Sequence, residues 1–421
     1  MRSPKNGRRT KQKQSMKNEA TLLFVRDHRD DDVRRLAFAG DKHPDVDMAW
    51  ALDQISGWQT ARRKLPSWAT CEGVVYPPHL NMEQCSSEQT GHYKADLVAR
   101  LVGARTEGDR RLVDLTGGFG VDFSLMAPVF TRATYVERNE ALCDMARHNF
   151  PLLGLRHAEV VCGDGTQYLQ SLAPVNPATS SDSRTLIYLD PARRDSHGRK
   201  VFGMEDCTPD VVALGDALLQ RADVVLVKLS PMLDWHEAVR KLPSVAEVHI
   251  VSVANECKEL LLVLSREEQP LRVFCVNDGQ TFSYHASAAP SASTLPAVQS
   301  PQVLLVPNSS VMKAGCFREL ETTFGVPQIG ADAHLFVAAA PVPNFPGRQF
   351  RILRTTSMNK RQLREAFHDV SQANVAVRHF PLTADALRRR LKLKDGGSLY
   401  VFATTVGHDH RLFLTEKMPV D

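Results

Sequence analysis

Two short runs constrain this chain most: Asp114-Leu-Thr-Gly-Gly-Phe-Gly120 and, 76 positions later, Asp190-Pro-Ala-Arg193. Each follows an apolar, β-branched stretch of strand length. Glycines in such a turn permit positive φ and let the backbone lie against a ligand. A strand, a Gly-rich turn and then a helix is the geometry of an open α/β sheet that binds a cofactor at its strand ends. The spacing is G-G-x-G, so the dinucleotide fingerprint G-x-G-x-x-G is not met.

The texture around these runs agrees. Strands are expected at Leu112–Leu115, Ala133–Val136, Glu159–Cys162, Thr185–Leu189, Val224–Leu229 and Val245–Val253. Helices are expected at Asn139–Asn149 and Thr208–Gln220. Alternation of this kind predicts a doubly wound, Rossmann-like α/β sheet. Leu260–Leu264 and Leu271–Val276 would close it as an antiparallel edge, and Ala173–Ser183 reads as a surface loop. Ahead of the sheet, residues 19–85 read as a helical region, and Ser86 with Gln89 as a capping box. Gln280–Pro301 reads as a linker. Beyond it come a strand at Val303, a helix over Ser310–Phe324 and more strand near His334–Phe336. A compact end module follows, with helices at Lys360–Ala373 and Thr383–Leu391 and strands at Val375–His379, Leu399–Thr404 and Arg411–Thr415.

Three acids fall at successive strand ends. Asp114 ends the first strand, Glu137 the second, and Asp164 follows the third. A carboxylate accepts two donors, so Glu137 suits a pair of ribose hydroxyls, and Asp164 is placed for an adenine amine. Gly117, Gly118 and Gly120 supply the close backbone approach. The alternative is an ordinary α/β domain with Asx turns after its strands. After the fourth strand, Asp190 and the Pro191 carbonyl suit both N–H bonds of an exocyclic amine. They would aim its lone pair at an incoming methyl group. Proline stiffens that turn and removes a competing donor. The alternative is a structural turn with an N-capping Asp. Lys228 in Lys228-Leu-Ser-Pro-Met232 and Asn255 in Asn255-Glu-Cys-Lys258 are candidates to line a substrate pocket; a solvated turn or a salt bridge is the competing role.

Charge is uneven. Residues 1–17 carry seven Lys/Arg and no acid, residues 346–421 carry 14 against 7 acids, and the remainder has 31 basic and 41 acidic residues. Basic ends on an acidic body suit a polyanion partner. Arg378 and the run Arg388, Arg389, Arg390 are the candidate phosphate contacts, although basic residues at a helix C-terminus also serve the helix dipole. The first residues, 1–18, are polar, basic and aperiodic, and are expected to be disordered. The eight cysteines include no Cys-x-x-Cys pair, so no metal site is expected and reduced thiols are. No apolar run approaches membrane-spanning length and the start lacks an apolar signal core, so a cytoplasmic protein is expected.

Asp114–Gly120, Glu137, Asp164 and Asp190–Arg193 together resemble class I S-adenosylmethionine-dependent methyltransferases. The order Ser86-Ser-Glu-Gln-Thr90, Asp114, Asp190-Pro191 resembles the trimethylguanosine synthase-like RNA methyltransferases. That resemblance implies Ser87 and Thr90 as cofactor contacts. The chain from about residue 20 is similar to the THUMP-like class I methyltransferases of the Bacteroidetes type. The segments that carry this are Glu83–Glu88, Asp190–Asp195, Lys228–Met232, Asn255–Lys258, Pro307–Gly315 and Leu387–Leu391. The resemblance implies a methyltransferase domain over 86–280, a ferredoxin-like domain over 302–345 and a THUMP-like domain over 346–421. It also implies S-adenosylmethionine as cofactor and a structured RNA, tRNA or rRNA, as partner. One departure stands out. Amine methyltransferases of this kind carry Asp/Asn/Ser-Pro-Pro and then an aromatic that stacks on the base; here Ala192 and Arg193 hold those places. A guanidinium plane can also stack, which makes Arg193 the third candidate catalytic residue beside Asp190 and Pro191.

The expectation is therefore a methyltransferase that modifies a nitrogen of an RNA base. Two rivals stand beside it: a methyltransferase for a protein or small molecule, and a catalytically silent protein that binds RNA or cofactor.

Overall fold

The computed structural model describes residues 18–38, 42–103, 108–175, 183–192, 204–286, 301–330 and 332–419. The expected basic tail, the tip of the 173–183 loop and Arg193 lie outside the described residues. Two compact units form: residues 1–190 with 220–223, and residues 191–219 with 224–421.

The first unit opens with five helices: α1 (Glu19–His28), α2 (Val33–Ala37), α3 (Met48–Lys64), α4 (Pro66–Thr70) and α5 (His79–Gln84). Asn18, Asp32 and Asp47 cap the first three through their side-chain oxygens, and Pro66 starts α4 where its missing N–H costs nothing. Then come α6 (Glu88–Val102), β1 (Asp109–Asp114), α7 (Val121–Met126), β2 (Arg132–Glu137), α8 (Glu140–Leu152), β3 (Ala158–Cys162), α9 (Gly165–Ser171) and β4 (Ser183–Leu189). The strands stand in the order β3-β2-β1-β4, all parallel. The order reverses at β1, so the carboxyl ends of β1 and β4 open the crevice where such sheets take ligands. The helical region shares a core with the Gly-rich turn: Trp68 packs on Phe119 at 4.8 Å between ring centres, with Leu65, Tyr76, Met82 and Val121 around them. Asn149 also pins it, exchanging hydrogen bonds with the Val75 backbone at 2.9 and 2.8 Å.

The second unit holds α10 (Val211–Arg221), β5 (Val224–Leu229), α11 (Trp235–Lys241), β6 (Val245–Val253), β7 (Glu256–Ser265), β8 (Arg272–Asn277) and β9 (Gln280–His285). Its first sheet runs β5-β7-β6-β8-β9, with β7 antiparallel to β5 and β6. After these come β10 (Val303–Pro307), α12 (Ser309–Ala314), α13 (Phe317–Phe324), β11 (Phe336–Ala338), β12 (Gly347–Ser357), α14 (Lys360–Phe367), β13 (Asn374–Arg378), α15 (Ala384–Leu391), β14 (Leu399–Val406) and β15 (Asp409–Lys417). Its second sheet runs β11-β10-β12-β15-β14-β13. Leu304, Phe350, Phe402 and Phe413 fill one core of this part, and Leu387, Val401, Leu412 and Leu414 another.

Several expected boundaries move. The start of the expected linker is strand: β9 pairs with β8 from Asn277↔Gln280 to Arg272↔His285. The helix expected over Ser310–Phe324 is two helices, because Gly315 at φ 69 ends the first with a left-handed cap. The helix expected to reach Ala373 ends at Phe367, and that expected from Thr208 begins at Val211, where Asp210 caps it. α6 is capped by Ser87 with Thr90 rather than by Ser86 with Gln89, because the Ser86 hydroxyl is committed to Asp122.

Candidate cofactor site at the carboxyl ends of β1, β2 and β4

The Gly-rich turn is held on both sides. Leu115 donates to the Tyr188 carbonyl of β4 at 3.0 Å, and Gly117 donates to the Val136 carbonyl of β2 at 2.9 Å. Gly118 and Gly120 have φ 57 and 85, which an L side chain resists. Gly117 is glycine for a different reason: a Cβ there would stand 2.2 Å from the Tyr135 ring. The Tyr135 hydroxyl in turn donates to the Gly118 carbonyl. Gly165, at the start of α9, lies so close to the end of β1 that a Cβ would meet the Leu115 carbonyl at 2.1 Å. The floor of the crevice is therefore main chain.

The acids stand around this floor. Asp114 is 1% exposed and accepts from the Thr116 N–H at 2.9 Å. Burial raises its pKa well above the ordinary carboxylate range; the Thr116 N–H pulls the other way, and Asp122, Asp190 and Glu137 add to the rise as negative neighbours. Glu137 is half-buried and accepts from Gly118 N at 2.9 Å and Asn139 N at 2.7 Å, one through each oxygen. Asp164 is exposed and caps α9, accepting from Thr166 N at 2.8 Å and Gln167 N at 3.1 Å. The Thr166 hydroxyl and then the Gln167 N–H hold its carboxyl below the ordinary range. Asp190 is half-buried, and its N–H donates to the Thr116 hydroxyl oxygen at 2.6 Å. Thr116 was not singled out from the sequence. The signal was available: a hydroxyl between the strand acid and the glycines.

One crevice thus gathers Asp114, Gly117, Gly118, Gly120, Glu137 and Asp190, with Asp164 at the end of the neighbouring strand. Clustered carboxylates over a backbone floor suit a ligand with hydroxyls and positive charge. A sulfonium with an α-ammonium group and a ribose fits that description, and the raised Asp114 carboxyl is a group that such a cation would help to ionise. Ser87 and Thr90 serve each other at the start of α6: Thr90 N donates to Ser87 Oγ at 3.2 Å, and the Thr90 hydroxyl to Ser87 O at 3.2 Å. Cys143 donates to the Glu137 carbonyl at 3.1 Å, and burial first, then Cys162, pushes its thiol up to about 12. None of the eight cysteines is in a disulfide.

The other candidates lie in the second unit. Pro191 is buried, and Ala192 pairs with Thr208 in both directions at 2.8 and 3.0 Å. Lys228 is the penultimate residue of β5 and is half-buried. Asn255 (φ 61) follows Ala254 (φ 50) in the tight turn between β6 and β7. Its side chain accepts from Ser309 N at 2.8 Å, so its amide oxygen ties the turn to α12. Arg378 is exposed at the end of β13, and Arg389 and Arg390 are exposed in the last turn of α15. Arg388 is engaged by Asp385 at 2.6 Å and Asp395 at 2.7 Å. Among the described residues, no group of three His, Cys, Asp or Glu could hold a metal, and no helix is long and apolar enough to cross a membrane.

The chain is similar to known proteins over most of its length. A ferredoxin-like domain family matches residues 304–346 and a THUMP domain-like family matches residues 347–417. A crystal structure described as a putative methyltransferase from Porphyromonas gingivalis superposes with TM-score 0.80 over 95% of this chain and 98% of its own, at 29% identity. Two strains of Mycobacterium tuberculosis carry uncharacterized S-adenosylmethionine-dependent methyltransferases that are 26% identical over 315 residues, 74% of this chain and 81% of theirs. The chain is an S-adenosylmethionine-dependent methyltransferase. More particularly, it is one of mixed α/β fold whose last part carries a ferredoxin-like and a THUMP-like domain.

Proposed function

We propose that this enzyme methylates a nitrogen of an RNA base, an exocyclic amine, in a structured RNA such as tRNA or rRNA. The observation that carries the reading is Asp190. It follows β4 at the sheet's switch point, its main chain is held by Thr116, and proline comes next. The Asp190 carboxylate accepts an amine N–H, and Pro191 supplies a carbonyl for the second. The cofactor supplies an activated methyl group. Gly117, Gly118 and Gly120 let it lie on the main chain, Glu137 takes its ribose hydroxyls, Asp164 its adenine amine, and Ser87 and Thr90 border it. With the acceptor oriented and both partners held, proximity does most of the work. The new N–C bond forms as the C–S bond breaks toward sulfur, and the amine's surplus proton leaves by way of Asp190 or solvent.

RNA is supported by the end module. The THUMP-like match covers the stretch in which Arg378, Arg389 and Arg390 are exposed. Basic residues of this kind meet phosphates without choosing sequence. In this reading residues 19–85 form the helical region, 86–280 the methyltransferase domain, 302–345 the ferredoxin-like domain and 346–421 the THUMP-like domain. The sequence, rather than the geometry, carries Lys228, Asn255 and Arg193 as candidate substrate contacts, and Arg193 lies outside the described residues.

The test is transfer of labelled methyl from S-adenosylmethionine to total RNA from cells lacking this gene. Label in one RNA class, traced by nucleoside analysis to a base nitrogen, is expected. Label in protein or small metabolites with none in RNA would overturn the RNA reading.

A further inference from the structure

One buried carboxylate joins three segments that border the crevice. Asp122 is the second residue of α7, directly after the Gly-rich turn. Its Oδ2 accepts the Ser86 hydroxyl at 2.8 Å and the Tyr188 hydroxyl at 2.7 Å. Its Oδ1 lies 3.2 Å from the Lys94 ammonium, which also donates to Ser86 Oγ at 3.4 Å. Ser86 precedes the Ser87 cap and Thr90. Tyr188 lies on β4, two residues before Asp190. Lys94 is 0% exposed, Tyr188 1%, and Asp122 and Ser86 8% each. α6 also presses on α7: a Cβ at Gly91 would meet Leu125 at 2.3 Å.

Burying two ions costs desolvation that their attraction only partly returns, so such a pair contributes little net stability compared with apolar residues of the same volume. What it does contribute is direction. Two hydroxyl donors and an ammonium converging on one carboxylate fix three chain segments at one spacing, and apolar side chains cannot reproduce that.

We infer that Lys94 and Asp122 are positioning residues of the cofactor site. They hold the Ser86–Thr90 segment, the Gly-rich turn and the Asp190 strand in register with one another. The inference rests on the methyltransferase reading. It commits the buried pair to arranging the site rather than to holding the fold together.

The deciding variant is the double replacement Lys94→Met with Asp122→Leu. Melting temperature and affinity for S-adenosylhomocysteine are measured by calorimetry on the full chain. The expected result is a melting temperature at or above that of the wild type, with affinity weakened about tenfold or more, as when a coupled polar network is cut. Unchanged affinity at unchanged melting temperature would overturn the inference. If the double variant melts far below the wild type, the pair is needed for folding and Tyr188→Phe decides. That change removes one hydrogen bond and keeps the ion pair. A severalfold rise in cofactor dissociation constant at wild-type melting temperature supports the inference, and no rise overturns it. Wild-type protein that binds no cofactor would overturn the methyltransferase reading itself, a separate outcome.

Discussion

The Thr116 hydroxyl oxygen accepts the Asp190 N–H at 2.6 Å, across 74 positions of sequence. The same hydroxyl lies 3.4 Å from the Asp114 carboxylate, to which it donates. One side chain in the Gly-rich turn thus sets Asp190, the proposed acceptor-side acid, against Asp114, the proposed cofactor-side acid. Thr116→Val keeps the shape and removes the oxygen. The expected outcome is a fall in kcat of about tenfold to a hundredfold, the scale of a misplaced reacting group. The cofactor dissociation constant should stay within a factor of about three, and Thr116→Ser should restore the rate. Equal losses in kcat and cofactor affinity would contradict this division of roles.

Asp114 predicts a pH dependence of stability. Its folded-state pKa lies well above its ordinary value of 3.8. The protein therefore favours the protonated form. That contribution to stability is fully present below 3.8 and is lost as pH rises through the folded-state pKa. Asp114→Asn removes the charge and keeps an oxygen for Thr116. Relative to this variant, the wild type should lose melting temperature progressively as pH is raised from 3.8 through the folded-state pKa. Scanning calorimetry of both proteins across that range checks it. A constant difference would contradict it. Wild-type cofactor affinity should improve over the same range, because a cation favours ionised Asp114.

The glycines separate by mechanism. Gly118→Ala puts a side chain at φ 57 with no heavy atom nearer than 3.7 Å, so it should cost only the backbone strain, about 1 kcal/mol. Gly117→Ala drives a methyl into the Tyr135 ring, and Gly165→Ala drives one into the Leu115 carbonyl. Overpacking of this kind costs about 1–3 kcal/mol or more. Urea unfolding of the three variants should rank Gly118→Ala mildest. The tyrosine clash should be partly relieved by adding Tyr135→Leu, whereas the Leu115 carbonyl cannot be removed.

For the end module, Arg389→Ala and Arg390→Ala should weaken RNA binding and each reduce the salt slope of log K by about one. Arg388→Ala should instead loosen the end of α15, because Asp385 and Asp395 already engage that guanidinium. Filter binding over a salt series, with the melting temperature of each variant, distinguishes the two effects. If all three arginines change the slope equally, the ion pairs of Arg388 do not compete with RNA.

Much of this was legible in the sequence because it depends on local rules. The strands β1 to β6 follow apolar runs, and the acids at their ends follow directly. The Ser86–Gln89 capping box failed by one residue because a long-range partner, Asp122, claimed the Ser86 hydroxyl. β9 was read as linker because Gln280–His285 is polar and half-exposed, and an edge strand needs only one partner. The tie from the Asn255 side chain to Ser309 N was not legible, because polar residues after a strand look alike whether they face a ligand or brace a turn. The Lys94–Asp122 network was not legible at all. Its members are 28 positions apart, on two helices, and nothing local marks a lysine for burial.

The main-chain floor of the crevice separates what can vary here from what cannot. Gly117 and Gly165 are each fixed by a neighbour's bulk, and Gly120 by its φ of 85 together with the Phe150 ring. Random substitution around them is expected to be purged as misfolding before it can alter cofactor choice. If Glu137 and the exposed Asp164 hold the cofactor as proposed, evolution or engineering that aims at a modified cofactor has chiefly that rim to work with. In the proposed binding mode, recognition over the floor itself is an inheritance of the backbone.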